Sequence, residues 1–378
     1  MKKPLPVILT GNAGGRHPTH REEIPRMLHS LSPSADDSYF GNKKILVTYV
    51  LSVLVFWIHI STFYNYGPYP PALDVFIIFI QSVASRVAVP LFFILSGALF
   101  YRNYTPGSYG QKLKSRVRTL LIPYFCWNIL MMLFLAAATV LFSRFFIGRH
   151  PFDFSLRGIL EGLFHWRYNS PFWFIFALMV FAVCAPVIYP ILRNRYTGLA
   201  AVAILWLLSE FELGLPEPMF HDRTCIVYYL IGGLLGIHGW DRFRAPSKSS
   251  LRLPAAVCLL LCWAFFFGIC YDLYQPGPGI ILGFRLLNAF ALWICADTVC
   301  ENVRARVFME HSFWVYAMHM NVGAVVTKLI YLIGPKHWAM AVPNFLLTTA
   351  LTLAIIEATC ALLRKYAPPV YRLLCGSR

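Results

Sequence analysis

The stretch ILVTYVLSVLVFWIHISTF, residues 45–63, is nineteen residues long, carries no formal charge and holds a single imidazole, His59. As a helix it reaches about 28 Å, enough to cross the roughly 30 Å hydrocarbon core of a bilayer. A helix also satisfies its own backbone polar groups, which lipid demands of any spanning segment. An ionisable group inside such a run is costly and marks a functional candidate. The bland alternative for His59 is a hydrogen bond to a neighbouring helix or a seat at headgroup level.

Working outward, runs of the same kind recur at 75–100, 119–142, 172–192, 198–215, 224–240, 253–271, 280–300, 307–330 and 338–363. Only 13% of the 378 residues are charged, and the mean hydropathy is +0.59; soluble domains carry about 25% charged residues. The expectation is an all-α protein, a polytopic transmembrane helical bundle of about ten spans. Lys and Arg number 33 against 17 Asp and Glu, an excess that in a soluble chain would suggest nucleic acid. Here 24 of them fall in the termini and even-numbered connections and six in the odd-numbered ones. By the positive-inside rule both termini are then cytoplasmic. The chain reads as a multi-pass protein of the cytoplasmic membrane whose basic charge orients it in the lipid bilayer, with no nucleic-acid partner.

Residues 1–42, polar and rich in Pro, Ser and His, read as a disordered N-terminal tail, 43–365 as one integral-membrane domain, and 366–378 as a short basic C-terminal tail. The apolar part of MKKPLPVILTGN is too short for a secretory signal, and Met27 is a second candidate start. Ten cysteines are scattered; Cys258 and Cys262 share a helix face, but no CxxC pair or Cys/His ligand spacing occurs. Neither a disulfide framework nor a metal is expected.

Helical rise converts position into depth. His59 lies fourteen residues beyond Ile45, about 21 Å from the cytoplasmic edge. Arg86 lies fourteen residues before Phe100 in a span running the other way, again about 21 Å deep. His319 lies twelve residues beyond Val307, about 18 Å deep. Three ionisable side chains at one level would line a polar cavity beyond the midplane. Pro90 breaks or kinks the second span, and Ser96 and Gly97 then permit close backbone approach near the cytoplasmic face. Arg116 and Arg118 lead into the third span; they are a plain topology signal or a phosphate site for a cytosolic anion.

Four blocks, VPLFFILSG (89–97), KSRVRTLLIPYFCWN (114–128), PFWFIFALMVF (171–181) and HSFWVYAMH (311–319), follow a first-span histidine in that order. Together they resemble the membrane-bound acyltransferase-3 family, in particular its branch of cell-envelope O-acetyltransferases and intercellular-adhesion proteins. The resemblance implies transfer of an acyl group, usually acetyl, from cytosolic acyl-CoA (acetyl-CoA) as co-substrate to a hydroxyl of an envelope glycan or lipid-linked saccharide, with no bound cofactor. It makes His59 the general base and matches Tyr316 and His319 to the ninth-span motif, Arg116 with Arg118 to the basic residues before the third span, and Ser96 with Gly97 to the SG turn. One position departs: the family's arginine eleven residues before the histidine is Thr48 here, and Arg86 is the candidate to take its role. The chemistry is coherent in itself, because acyl transfer needs a base at the acceptor hydroxyl and a donor for the developing oxyanion. Neutral imidazole suits the first role; Arg86, Tyr316 or His319 suits the second. The rival reading is a multispan transporter or exporter of an envelope glycan or lipid intermediate, with the same His and Arg as a proton relay. Inverted repeats with paired broken helices would support it, and no second half matches the Pro90 span.

Overall fold

The computed structural model describes residues 35–60, 62–65, 69–141, 152–211 and 221–376. Residues 1–34 of the expected disordered tail, Met27 among them, lie outside the described residues. Those described form helices and no strand. The chain opens with α1 (Ala35–His59). Helices α2 (Pro71–Ile78) and α3 (Ala88–Tyr101) follow, then α4 (Tyr109–Arg116) and α5 (Ile122–Leu141). A short α6 (Leu156–Phe164) precedes α7 (Trp173–Val183) and α8 (Ala185–Arg193), and next come α9 (Arg195–Glu210), α10 (Cys225–His238) and the short α11 (Trp240–Arg244). The last third holds α12 (Arg252–Cys270), α13 (Pro278–Cys295), the short α14 (Asp297–Cys300), α15 (Ser312–Ile333), α16 (Ala341–Tyr366) and α17 (Pro368–Cys375).

Each of the ten apolar runs holds a helix. Among the described residues seven helical segments are long and apolar enough to cross a membrane, or eight if α7 and α8, bent by 70° at their junction, make one span. The α10 helix is apolar but only 14 residues long. The outer faces carry Leu133, Phe134, Leu253, Leu260, Leu261, Leu332 and Ile333, all exposed, while Ser52, Gln81, Asn128, Asn288 and His319 are buried. Aliphatic residues outside and polar residues inside is the arrangement lipid requires.

Two boundaries differ from those expected. The first helix begins at Ala35, inside the stretch read as tail, because Asp36 and Asp37 suit its first turn and Phe40 is buried against Trp240, Phe243 and Trp293. Most of the C-terminal stretch is also ordered. Within it α17 packs on the bundle: Trp127 Nε1 donates to the Leu374 carbonyl at 3.1 Å, and Leu374 and Cys375 are buried. Lys43, counted among the orienting charges, is 1% exposed. It pairs with Asp297, which also accepts from the Tyr39 hydroxyl and from Ser247 N and Oγ at 2.9 and 2.6 Å. Lys43 Nζ sits 3.9 Å from the centre of the Trp293 ring.

Prolines shape two spans. Pro90 follows an irregular stretch made of a wide turn, Phe79–Ala84, and a tight one, Ser85–Val87. A proline ring clashes with the carbonyl four residues earlier, here that of Arg86, and the backbone relieves the clash by changing its winding there. Pro71–Tyr101 nevertheless continues as one 31-residue segment. Pro123 repeats the device, with a wide turn at Val117–Leu121. Between α3 and α10 the backbones nearly touch. A Cβ on Gly97 would stand 2.2 Å from the Tyr229 carbonyl oxygen, one on Gly232 2.1 Å from that of Ile94, and one on Gly236 2.5 Å from that of Ala98. Such small-residue packing is how helices approach where no hydrophobic force draws them together.

Candidate active site

Two cavities lie end to end along the bundle. The first, of about 380 Å3, is lined by Val55, Ile58 and His59 of α1, Arg86, Val89, Pro90 and Phe92 of the second span, and Pro171, Trp173 and Phe174 ahead of and in α7. The second, of about 660 Å3, takes Lys44, Ile45, Thr48 and Ser52 from the other end of α1, and Phe92, Leu95, Ser96, Leu99 and Phe100 from the other end of α3. Phe92, Phe174 and Tyr316 line both, so three rings form the wall between them. From Lys44 to His59 is about 22 Å along α1. The larger cavity is basic, with Lys44, Lys112 and Arg116 against Glu310. Thr119 lines it too and is touched by the end of α17, where a Cβ on Gly376 would lie 2.5 Å from the Thr119 Cα. The start of α1 and the end of α17 therefore share the basic end of the bundle.

Of the residues singled out in the sequence, His59, Arg86 and Tyr316 meet in the smaller cavity, and Arg116 and Ser96 line the larger one. His319 lies behind the cavity wall, fully buried, its ring centre 5.6 Å from that of His59. Two others line neither cavity, Gly97 making instead the close backbone approach expected of it. Gly97 belongs to neither cavity; its missing side chain is what lets α3 touch α10. Arg118 is exposed and lines neither cavity, since two residues of helix place it about 200° round from Arg116.

Hydrogen bonding narrows the roles. The Tyr316 hydroxyl donates to the Pro171 carbonyl, and its ring stacks on Phe172 with centroids 5.6 Å apart. His319 Nδ1 lies 2.6 Å from the Tyr316 carbonyl. A carbonyl only accepts, so Nδ1 carries the proton, and in the neutral imidazole the buried Nε2, which has no partner among the described residues, is a bare lone pair. In this arrangement neither residue has a hydrogen to offer an oxyanion. The five-donor guanidinium of Arg86 opens onto the same cavity as His59. Thr48 lines the basic cavity with its hydroxyl turned back to the Lys44 carbonyl at 2.8 Å, and the cation supplied there by α1 is Lys44, one turn earlier.

With this geometry in place, comparison with known proteins becomes informative. The model of a family described as an acyltransferase domain matches residues 49–361. The chain belongs to the acyltransferase-3 family. It is also 26% identical over 336 residues, 83% of this chain and 84% of the relative, to the succinoglycan biosynthesis protein ExoH of Rhizobium meliloti strain 1021. No solved structure matches. As a family member the chain is a multi-pass membrane acyltransferase.

For an acyltransferase, the cavity beside His59 holds more than the sequence reading found. His221, Asp222, Arg223, Thr224 and Arg285 also line it. Arg285 was findable, because it is an ionisable group within the apolar run 280–300. The others sit in a connection whose composition resembles any loop. At the basic end His311 donates from Nδ1 to Glu357 at 2.7 Å and accepts at Nε2 from Arg364 at 2.7 Å, which supplies the half-buried carboxylate of α16 with a partner.

Proposed function

We propose that the protein transfers an acyl group, acetyl in the first instance, from cytosolic acyl-CoA to a hydroxyl of an envelope polysaccharide or its lipid-linked precursor. The observation that carries this reading is the pair of cavities that share one wall. The basic cavity suits the CoA phosphates, with Lys44, Lys112 and Arg116 as contacts, and the pantetheine arm then runs along the bundle toward the three-ring wall. The acceptor enters the smaller cavity. His59 takes the proton of its hydroxyl as the oxygen attacks the thioester carbonyl carbon, and the oxyanion that forms is stabilised by Arg86. The carbon–sulfur bond then breaks, and the CoA thiolate leaves with the proton held by His59. The termini and the basic cavity face the cytoplasm in this scheme, in keeping with the distribution of Lys and Arg. ExoH, named for the biosynthesis of succinoglycan, supports a polysaccharide acceptor.

The test uses purified full-length protein, radiolabelled acetyl-CoA and glycan-containing membrane extract. Label should enter the glycan fraction, and His59→Ala should lower kcat by about 10²–10⁴-fold with the protein still folded. Wild-type turnover in that variant would make His59 a packing residue and remove the mechanism.

A further inference from the structure

Several side chains in the His59 cavity have no part in the transfer step. Arg285 sits in the run GIILGFRLLNAF (279–290) of α13, where a charge is costly and persists for a reason. The simplest reason is a structural ion pair with Asp222. The contact is loose, however: Arg285 Nη1 stands 3.6 Å from Asp222 Oδ2, well beyond the about 2.7–2.9 Å of a charge-assisted hydrogen bond. The other carboxylate oxygen, Oδ1, accepts from Thr224 N at 2.8 Å and Thr224 Oγ at 2.6 Å, so Asp222 chiefly braces the turn that leads into α10. Arg223 lines the same space, and Arg86 faces it from the opposite span. The lining therefore holds three guanidinium groups and one carboxylate. Arg285 also hydrogen-bonds the buried Tyr228 of α10, but neither that contact nor the loose pair with Asp222 accounts for the further guanidinium groups around the proposed base. Planar guanidinium forks match the oxygens of carboxylate and phosphate.

We propose that this cavity selects acceptors bearing an anionic group, a carboxylate or phosphate, which Arg285 and Arg223 hold beside the hydroxyl that His59 deprotonates. The proposal rests on the acyl-transfer reading for the hydroxyl but not for the anion, which binding alone can test. Two sources fit the chemistry: a uronic-acid carboxylate within the glycan, or the diphosphate of a lipid-linked precursor.

The experiment measures binding to full-length protein in lipid nanodiscs without acyl-CoA. Three probes are compared: a glucuronic-acid trisaccharide, its carboxyl-reduced glucose counterpart, and the glucose trisaccharide linked to polyprenyl diphosphate. At least one acidic probe should bind about tenfold or more tighter than the neutral one, the scale of one charge-assisted hydrogen bond. The acidic probe that wins identifies the source. In Arg285→Gln the ratio of acidic to neutral affinity should collapse toward one, and Arg285→Lys should restore part of it. If Arg285→Gln does not fold, Arg223→Gln is read in its place. Equal binding of all three probes, or selectivity kept in both glutamine variants, overturns the proposal. Labelled acetyl-CoA is then added. Acid-selective binding without transfer to any probe would defeat the acyl-transfer reading and keep the anion site. Transfer indifferent to acidity would defeat the anion site and keep the acyl-transfer reading.

Discussion

Replacing Tyr316 by Phe separates two roles for one hydroxyl. Tyr316 is 8% exposed, donates to the Pro171 carbonyl and stacks on Phe172. Phenylalanine keeps the ring, the stack and the wall between the cavities, and removes one donor. The Pro171 carbonyl keeps the Trp173 backbone N–H, so what is lost is the net worth of one hydrogen bond, about 0.5–1.5 kcal/mol to the folded state. If the hydroxyl instead served the developing oxyanion, its loss would cost about 10²–10³ in kcat, or roughly 2.7–4 kcal/mol of transition-state stabilisation. The two costs differ in size and fall on different observables. Thermal unfolding in detergent, followed by tryptophan fluorescence, reads the first; steady-state transfer from labelled acetyl-CoA reads the second. The expected result is a lower unfolding temperature with kcat within about tenfold of wild type, any larger effect being on acceptor KM because Pro171 lines the acceptor cavity. Unchanged unfolding with a hundredfold loss of kcat would place the hydroxyl at the reacting carbon and refute the assignment.

Two further outcomes follow from the packing. Gly97→Ala should lower the unfolding temperature sharply, by the equivalent of about 1–3 kcal/mol or more, since its Cβ would meet backbone atoms of α10 that cannot swing aside; unaltered stability would mean that the two helices are not in contact. Arg116→Ala should raise the KM for acetyl-CoA with little change in kcat, as loss of a uniform binding contact does, whereas Arg118→Ala should leave that KM near wild type because its side chain is exposed outside both cavities. Equal KM effects from the two substitutions would show that the phosphate site extends beyond the basic cavity.

Depth along the spans was legible because helical rise is regular. Counting residues from the charged edge put His59 and Arg86 at one level, and they do line one cavity. Direction around a helix was harder to read. Lys43 and Lys44 are adjacent, and about 100° of rotation sends one into a buried pair with Asp297 and the other into the basic cavity. Both were counted as orienting charges, a role assigned by composition alone. Arg116 and Arg118 part company in the same way, about 200° apart over two residues. Ser96 and Gly97 read as a place of close backbone approach, but the partner in that approach lies on α10, more than 130 residues later.

That long-range dependence explains why a run of aliphatic residues reveals the fold more readily than the chemistry. Every span can satisfy its backbone alone, so its helical state is written locally. A cavity forms only where several helices fail to close, and its lining is drawn from residues far apart in the chain. Arg86 reaches the cavity beside His59 from the irregular turn that precedes Pro90, which lines the same cavity one turn later. The device costs little, since α3 regains regular winding at once and packs on α10 through Gly97 and Gly232. Glycine contacts on one side of α3 and a tight turn at its start thus have complementary effects: the first sets α3 against α10, and the second carries the arginine. A regular second span would carry the same sequence of apolar faces and the same hydropathy with that turn wound differently. The chemistry of this bundle therefore resides in its departures from ideal helix.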